Sequence, residues 1–266
     1  MTWTIRPRSE GPGGLHYWSE GQGPALVLIH GVGLRAEAWG AMVPLLAPHV
    51  TIYAVDMPGH GASPLNDTVT LADYTDRFAA FIAALDTPVA VAGHSMGALI
   101  ALDLATSHSE NLHSVAALNA VFERTADAAQ AVRARAAALT ENGPSDPMPT
   151  LERWFGADPT GEQRAAATAC RTWLTQANRK GYAQAYTVFA QHNGPTGTAL
   201  ARMHIPALFL TGAEDSNSTP EMSQRMSTLA PHGHTHIVQD AAHMVPMTHP
   251  GIVANELISH IQGSTL

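Results

Sequence analysis

The chain has 266 residues and carries 22 acidic against 14 basic side chains, so its net charge of -8 repels phosphate and sets nucleic acid aside as a partner. A single cysteine, Cys170, excludes an internal disulfide and reads as a small apolar residue on a helix. No basic leader followed by an apolar stretch is visible after Met1, and no apolar run approaches membrane-spanning length; the expectation is a cytoplasmic protein without a membrane partner.

Residues 1–24 are rich in Gly and Pro, and short β-like pieces at 2–5 and 15–19 predict an antiparallel edge hairpin. Ala25-Leu26-Val27-Leu28-Ile29 is a continuous apolar strand, the pattern of a sheet covered on both faces. It stops at His30-Gly31-Val32-Gly33. Helical spacing over 36–46, a second buried strand at 50–55 and a loop at 56–63 follow. Residues 71–85 place Leu71, Tyr74, Phe78, Phe81, Ile82 and Leu85 on one helical face, and the next strand covers 89–92. That strand runs into Gly93-His94-Ser95-Met96-Gly97, after which 98–105 reads as a buried helix. A strand at 115–118 ends at Asn119.

The alternation then breaks. Residues 122–203 show no strand, only helical stretches at 126–139, 165–178 and 182–191 around a Gly/Pro segment at 142–149. It resumes with a strand at 207–210, a helix at 220–229, a strand at 234–238 and a helix at 250–261. Strands alternating with helices predict an α/β fold with a doubly wound, mostly parallel sheet. Its core comprises 1–121 and 204–266, with 122–203 as an inserted helical cap. The cap holds 9 basic and 7 acidic residues and the remainder 5 and 15. Two readings fit this: a cap that helps hold a carboxylate-bearing ligand, and arginines on solvated helix faces.

The turn at Ser95 carries the chemistry. A strand, a sharp glycine-flanked turn and a helix push the serine hydroxyl out above the sheet edge. A serine hydroxyl needs a base, and the base needs a third group to fix its tautomer. Doubly wound sheets present such groups on loops at the carboxyl ends of strands. The loop after 207–210 offers Glu214 and Asp215, and the loop after 234–238 offers Asp240 and His243. Asp240 stands three residues before His243, whereas Asp215 would approach from a separate loop, which suits a triad better. His232, His234 and His236 alternate and would face one way on a strand, as metal ligands do, but no neighbouring carboxylate accompanies them in sequence, and no metal is expected.

The order Ser95, Asp215, His243, with His30-Gly31-Val32-Gly33, Asp56-Met57-Pro58-Gly59-His60-Gly61-Ala62-Ser63 and Ala241-Ala242-His243, resembles the α/β-hydrolase superfamily over nearly all of the chain outside the cap. The closest resemblance is to small capped carboxylesterases, enol-lactone hydrolases and carbon-carbon bond hydrolases. It implies Ser95 as nucleophile, His243 as base then acid, Asp215 as the orienting carboxylate, and the Val32 and Met96 N–H groups as oxyanion donors. Some relatives take the acid from the preceding strand, where this chain has Asn119. Related dehalogenases and epoxide hydrolases carry aspartate at the elbow, so Ser95 points to attack on a carbonyl.

The reaction expected is hydrolysis of a small carboxylic ester or lactone without a cofactor. The alternatives are carbon-carbon cleavage of a ring-fission acid, held by Arg124, Arg153 or Arg171, and a non-catalytic ligand-binding protein, against which the intact Ser95, Asp215 and His243 count. Expected pocket residues from the core are His30, Gly31, His94 and Met244; from the cap, Trp154, Trp173 and Tyr186. The sequence leaves a homo-oligomer open.

Overall fold

A computed structural model describes residues 2–142 and 146–264. The apolar runs become eight strands: β1 (Ser9–Gly11), β2 (Leu15–Gly21), β3 (Ala25–Ile29), β4 (Thr51–Val55), β5 (Val89–His94), β6 (Leu112–Leu118), β7 (Ala207–Gly212) and β8 (Gly233–Val238). They form one sheet in the order β1-β2-β4-β3-β5-β6-β7-β8, antiparallel where β2 meets β1 and β4 and parallel from β4 to β8. Strand order reverses between β3 and β5, and a doubly wound sheet opens its ligand crevice at the carboxyl ends beside such a switch.

Both faces of the sheet are covered, which is why β3 and residues 89–92 of β5 are apolar at every position rather than at alternate ones. Val27, Ile29 and Val91 pack against Tyr74, Phe78 and Leu99 of α2 (Leu71–Ala83) and α3 (Met96–Ser107). The intervening Leu26, Leu28, Ala90 and Ala92 pack on the other side against Trp39, Leu46, Val253 and Leu257. Those residues come from a short 3-10 turn (Ala36–Trp39), α1 (Val43–Leu46) and the C-terminal helix Pro250–Ser264.

Between β6 and β7 lie α4 (Ala126–Asn142), α5 (Met148–Phe155), α6 (Gly161–Gln176), α7 (Arg179–Gln191) and α8 (Gly197–Ala201). Helices α9 (Pro220–Leu229), α10 (Val245–Thr248) and α11 (Pro250–Ser264) complete the chain. Helix α4 lies on α7, α6 meets α10 and α7 meets α3. The first turn of α7 touches the loop after β4 backbone to backbone: a Cβ on Gly181 would sit 2.1 Å from the Gly59 carbonyl oxygen.

Several expectations need correction. The first arm of the edge hairpin is Ser9–Gly11, not 2–5. The earlier segment is held by side chains instead: Trp3 packs edge-on to Trp173, and the Arg6 N–H donates to Glu37. The helix expected over 36–46 is two short pieces, separated at Gly40, with Pro44 in the first turn of the second. Of the Gly/Pro segment at 142–149, residues 143–145 lie outside the described residues, while 148–149 open α5. Pro149 falls in the first turn, where proline's missing N–H costs no hydrogen bond, so it starts this helix rather than breaking one.

The elbow between β5 and α3 depends on two close approaches. A Cβ on Gly93 would meet the Gly97 carbonyl oxygen at 2.0 Å, and one on Gly97 would meet the Ile29 carbonyl oxygen at 2.1 Å. Both obstacles are backbone atoms, one in α3 and one in β3, so neither can rotate away. Gly97→Ala is therefore expected to destabilise the fold by about 2 kcal/mol or more. Urea unfolding checks this, and an unchanged midpoint would contradict it.

Candidate active site

Chain direction brings three loops to one end of the sheet. At the end of β5 the backbone reverses at Ser95, whose φ of 57° and ψ of -114° lie outside the regions ordinary side chains favour. The conformation is held because the Ser95 N–H donates to the Leu118 carbonyl at the end of β6, at 2.9 Å. Met96 then begins α3, so its N–H has no acceptor within the helix.

The loops after β7 and β8 are tied to each other: the Ala213 N–H donates to Val238 O at 2.8 Å and the Glu214 N–H to Ala241 O at 2.9 Å. This sets Asp215 against His243. Nδ1 of His243 donates to Asp215 Oδ2 at 2.8 Å, which leaves Nε2 as the proton-accepting atom of the neutral ring. The second carboxylate oxygen, Oδ1, accepts the Asn217 and Ser218 N–H groups at 2.9 and 3.0 Å. Asn119 Nδ2 adds a bond to Oδ2 at 2.8 Å. Burial works to raise the Asp215 pKa, but the His243 ring and these donors outweigh it and hold it at about 2. Glu214 and Asp240 are exposed.

His94 braces the same ring from below. Its Nε2–H donates to the His243 carbonyl at 2.8 Å; burial and then the His243 ring push its pKa down to about 3, so it stays neutral. Trp154 stacks on the His243 ring at 6.0 Å between centroids. Among the described residues no hydrogen bond joins the Ser95 hydroxyl to His243.

The loop after β3 is fixed by two buried histidines. His60 Nε2 accepts the Gly33 N–H at 3.0 Å, and His30 Nε2 accepts the Met57 N–H at 2.9 Å. Burial, followed by the neighbouring His60, pushes His30 down to about 3, which preserves it as an acceptor. Val32, between Gly31 and Gly33, has no acceptor for its N–H among the described residues. A cavity of about 250 Å³ takes Gly31, Val32, His94, Ser95, Asp215 and His243 as one wall. Helices α4, α5 and α7 supply the other, through Val132, Trp154, Tyr182, Tyr186 and Phe189.

The sequence profile of the alpha/beta hydrolase family matches residues 26–256. The chain belongs to the α/β-hydrolase family. It is 39% identical over 237 residues to (E)-2-((N-methylformamido)methylene)succinate hydrolase of Acinetobacter baylyi, covering 88% of this chain and 89% of that one. It is 26% identical over 264 residues to a pimeloyl-[acyl-carrier protein] methyl ester esterase of Yersinia pseudotuberculosis, covering 92% and 96%. Among solved structures, the enol-lactonase from Burkholderia xenovorans LB400 superposes with a TM-score of 0.84 at 22% identity, over 96% of this chain and all of that one.

The structure places the expected pocket residues of this hydrolase unevenly. Gly31, His94, Trp154 and Tyr186 line the cavity, but His30, Trp173 and Met244 do not. His30 is turned to the loop after β4, while Trp173 and Met244 are buried in a cluster with Leu34 and Phe155. Of the three arginines, Arg153 lines the cavity and Arg171 is exposed. Arg124 is turned away to the carbonyls of Phe189 and His192. Sequence reasoning missed Arg135, which also lines the cavity. The signal was the 128, 132, 135 spacing, which puts it on one face of α4 with Ala128 and Val132. It also missed Glu256, which α11 brings to His236 at 3.2 Å, although no group of three or more such ligands that could hold a metal occurs among the described residues. No described helix is long and apolar enough to cross a membrane.

Asp215 has its pKa depressed in the fold, so it contributes stability above the ordinary carboxylate range near 4, and that contribution is lost as pH falls toward about 2. Between pH 4 and pH 2 the wild-type protein is expected to lose about 2 kcal/mol more than Asp215→Asn. Urea titrations at each pH measure this, and parallel curves would refute it.

Proposed function

We propose that this hydrolase cleaves a small carboxylic ester or lactone through an acyl-enzyme on Ser95, under a helical cap formed by 122–203. The observation that carries the reading is the His243–Asp215 pair, bonded at 2.8 Å and lining one cavity with a serine on a strained strand-to-helix turn. Ser95 Oγ attacks the carbonyl carbon while its proton passes to His243 Nε2; as substrate enters, hydroxyl and ring close to hydrogen-bonding distance. Asp215, held anionic, stabilises the imidazolium that results. The carbonyl oxygen becomes an oxyanion and accepts the Val32 and Met96 N–H groups. Collapse breaks the carbon-oxygen bond, and the leaving alcohol takes the proton from His243. A water molecule, deprotonated by the same ring, then attacks the acyl carbon and releases the acid and Ser95.

The Acinetobacter relative supports a second reading. Its name describes a succinate bearing an N-methylformamido-methylene group, so by likeness the carbonyl attacked here is of formamide type. The nucleophile, base and oxyanion donors are shared; the leaving group is a nitrogen in place of an alcohol oxygen.

Ser95→Ala is expected to lower kcat for p-nitrophenyl acetate by roughly 10⁴-fold or more. A fluorophosphonate probe should label the wild type and leave the variant unlabelled. Undiminished turnover in the variant would exclude Ser95 as nucleophile. Assaying (E)-2-((N-methylformamido)methylene)succinate beside simple esters separates the two readings.

A further inference from the structure

Two arginines on the helical wall of the cavity have no role in the chemistry above. Arg135 comes from α4 and Arg153 from α5, and both line the cavity that contains Ser95 and His243. Arg135 Nη1 donates to the Tyr186 hydroxyl at 2.9 Å, and Arg153 Nη2 to the Thr150 hydroxyl at 3.0 Å. Each guanidinium has five N–H donors, so these neutral partners occupy only a fraction of them. The ion-paired arginines among the described residues are Arg6, Arg8, Arg35, Arg164 and Arg225, and neither cavity arginine is one of these.

The two charges also act on one another. Partial burial, and then the Arg135 guanidinium, lower the pKa of Arg153. The one carboxylate on the described cavity wall is Asp215, already engaged by His243, Asn119 and two backbone N–H groups. Two like charges on one wall repel each other, and an anion bound by both relieves that repulsion. A planar carboxylate matches the guanidinium fork.

We propose that Arg135 and Arg153 form a carboxylate-binding subsite, which selects short acyl compounds carrying a free carboxylate at the end remote from the bond Ser95 attacks. The location of that bond rests on the Ser95 reading; the subsite itself rests on the cavity wall. Both arginines reach the exposed rim of the cavity, so a substrate carboxylate docks there while its acyl carbon lies toward Ser95.

The test compares kcat/KM for monomethyl succinate with that for methyl 4-methylpentanoate, which has the same branched outline without the charge. Wild-type enzyme is expected to prefer the succinate ester. Arg135→Met and Arg153→Met should each reduce that preference about tenfold or more, mainly through KM, as loss of a charge-assisted hydrogen bond requires. Arg153→Lys should recover part of it. An unmoved ratio, or a wild type that prefers the uncharged ester, overturns the subsite. Should neither ester be turned over, the ester reading fails, and succinate binding measured by calorimetry judges the subsite separately. Binding weakened about tenfold in either Met variant upholds it; binding that is absent, or equal in all proteins, overturns it.

Discussion

The elbow at the carboxyl end of the sheet hangs on one backbone hydrogen bond, from the Ser95 N–H to the Leu118 carbonyl. It ties the residue after β5 to the end of β6 and holds Ser95 at a positive φ that the chain would otherwise leave. The glycines on either side let α3 start within contact distance of β3, so serine, helix start and the loop after β3 share one small volume. From there the order spreads outward. His94 precedes Ser95 and holds the His243 carbonyl, Asn119 follows Leu118 and holds Asp215. A displacement at the elbow is therefore felt by both partners of the His243–Asp215 pair.

The loop that carries Val32 is fixed by different means. Arg8 reaches across from the N-terminal segment to Glu37 at 2.7 Å and Asp56 at 2.8 Å, with all three side chains almost fully buried. Burial opposes the charge on Arg8, and the two carboxylates outweigh it. Asp56 also accepts the Ala36 and Ala62 N–H groups, so a single carboxylate joins the segments on both sides of β4. Removing one member of such a buried network typically costs about 3–5 kcal/mol, since the others stay charged and unpaired. His60 lies on the loop that this network shapes, and it is His60 that accepts the Gly33 N–H. The aim of the Val32 amide thus traces back to an arginine near the start of the chain.

Sequence legibility followed physical cause. Residues 25–29 and 89–92 were plain because burial on both faces demands an unbroken apolar run, and Ser95 was plain because the sharp turn demands its flanking glycines. Strand ends brought an acid of the loop after 207–210 toward His243, and the family resemblance singled out Asp215 from its neighbour Glu214. The arm Ser9–Gly11 could not be expected, since three exposed or half-buried residues carry no alternation; nor could α5, because Pro147 and Pro149 read as breakers until their place before and within its first turn is known. Arg8 belongs to a third kind. Its ion pairs are with Glu37 and Asp56, distant in sequence, so its burial depends on packing that no local pattern encodes.

The contact between Gly59 and Gly181 bears on how this scaffold diverges. A methyl group at Gly181 would push α7 away from the loop after β4 by about an atomic radius, and that loop carries His60. Helix α7 is thereby pinned to the part of the protein that serves the chemistry. Helices α4 and α5 bear other side chains of the wall, among them Val132, Arg135, Arg153 and Trp154. Drift at positions such as 132, 135 and 153 can reshape what enters the cavity while the strand-end loops keep their geometry, so new specificities are reached by way of α4 and α5, with α7 as the fixed post.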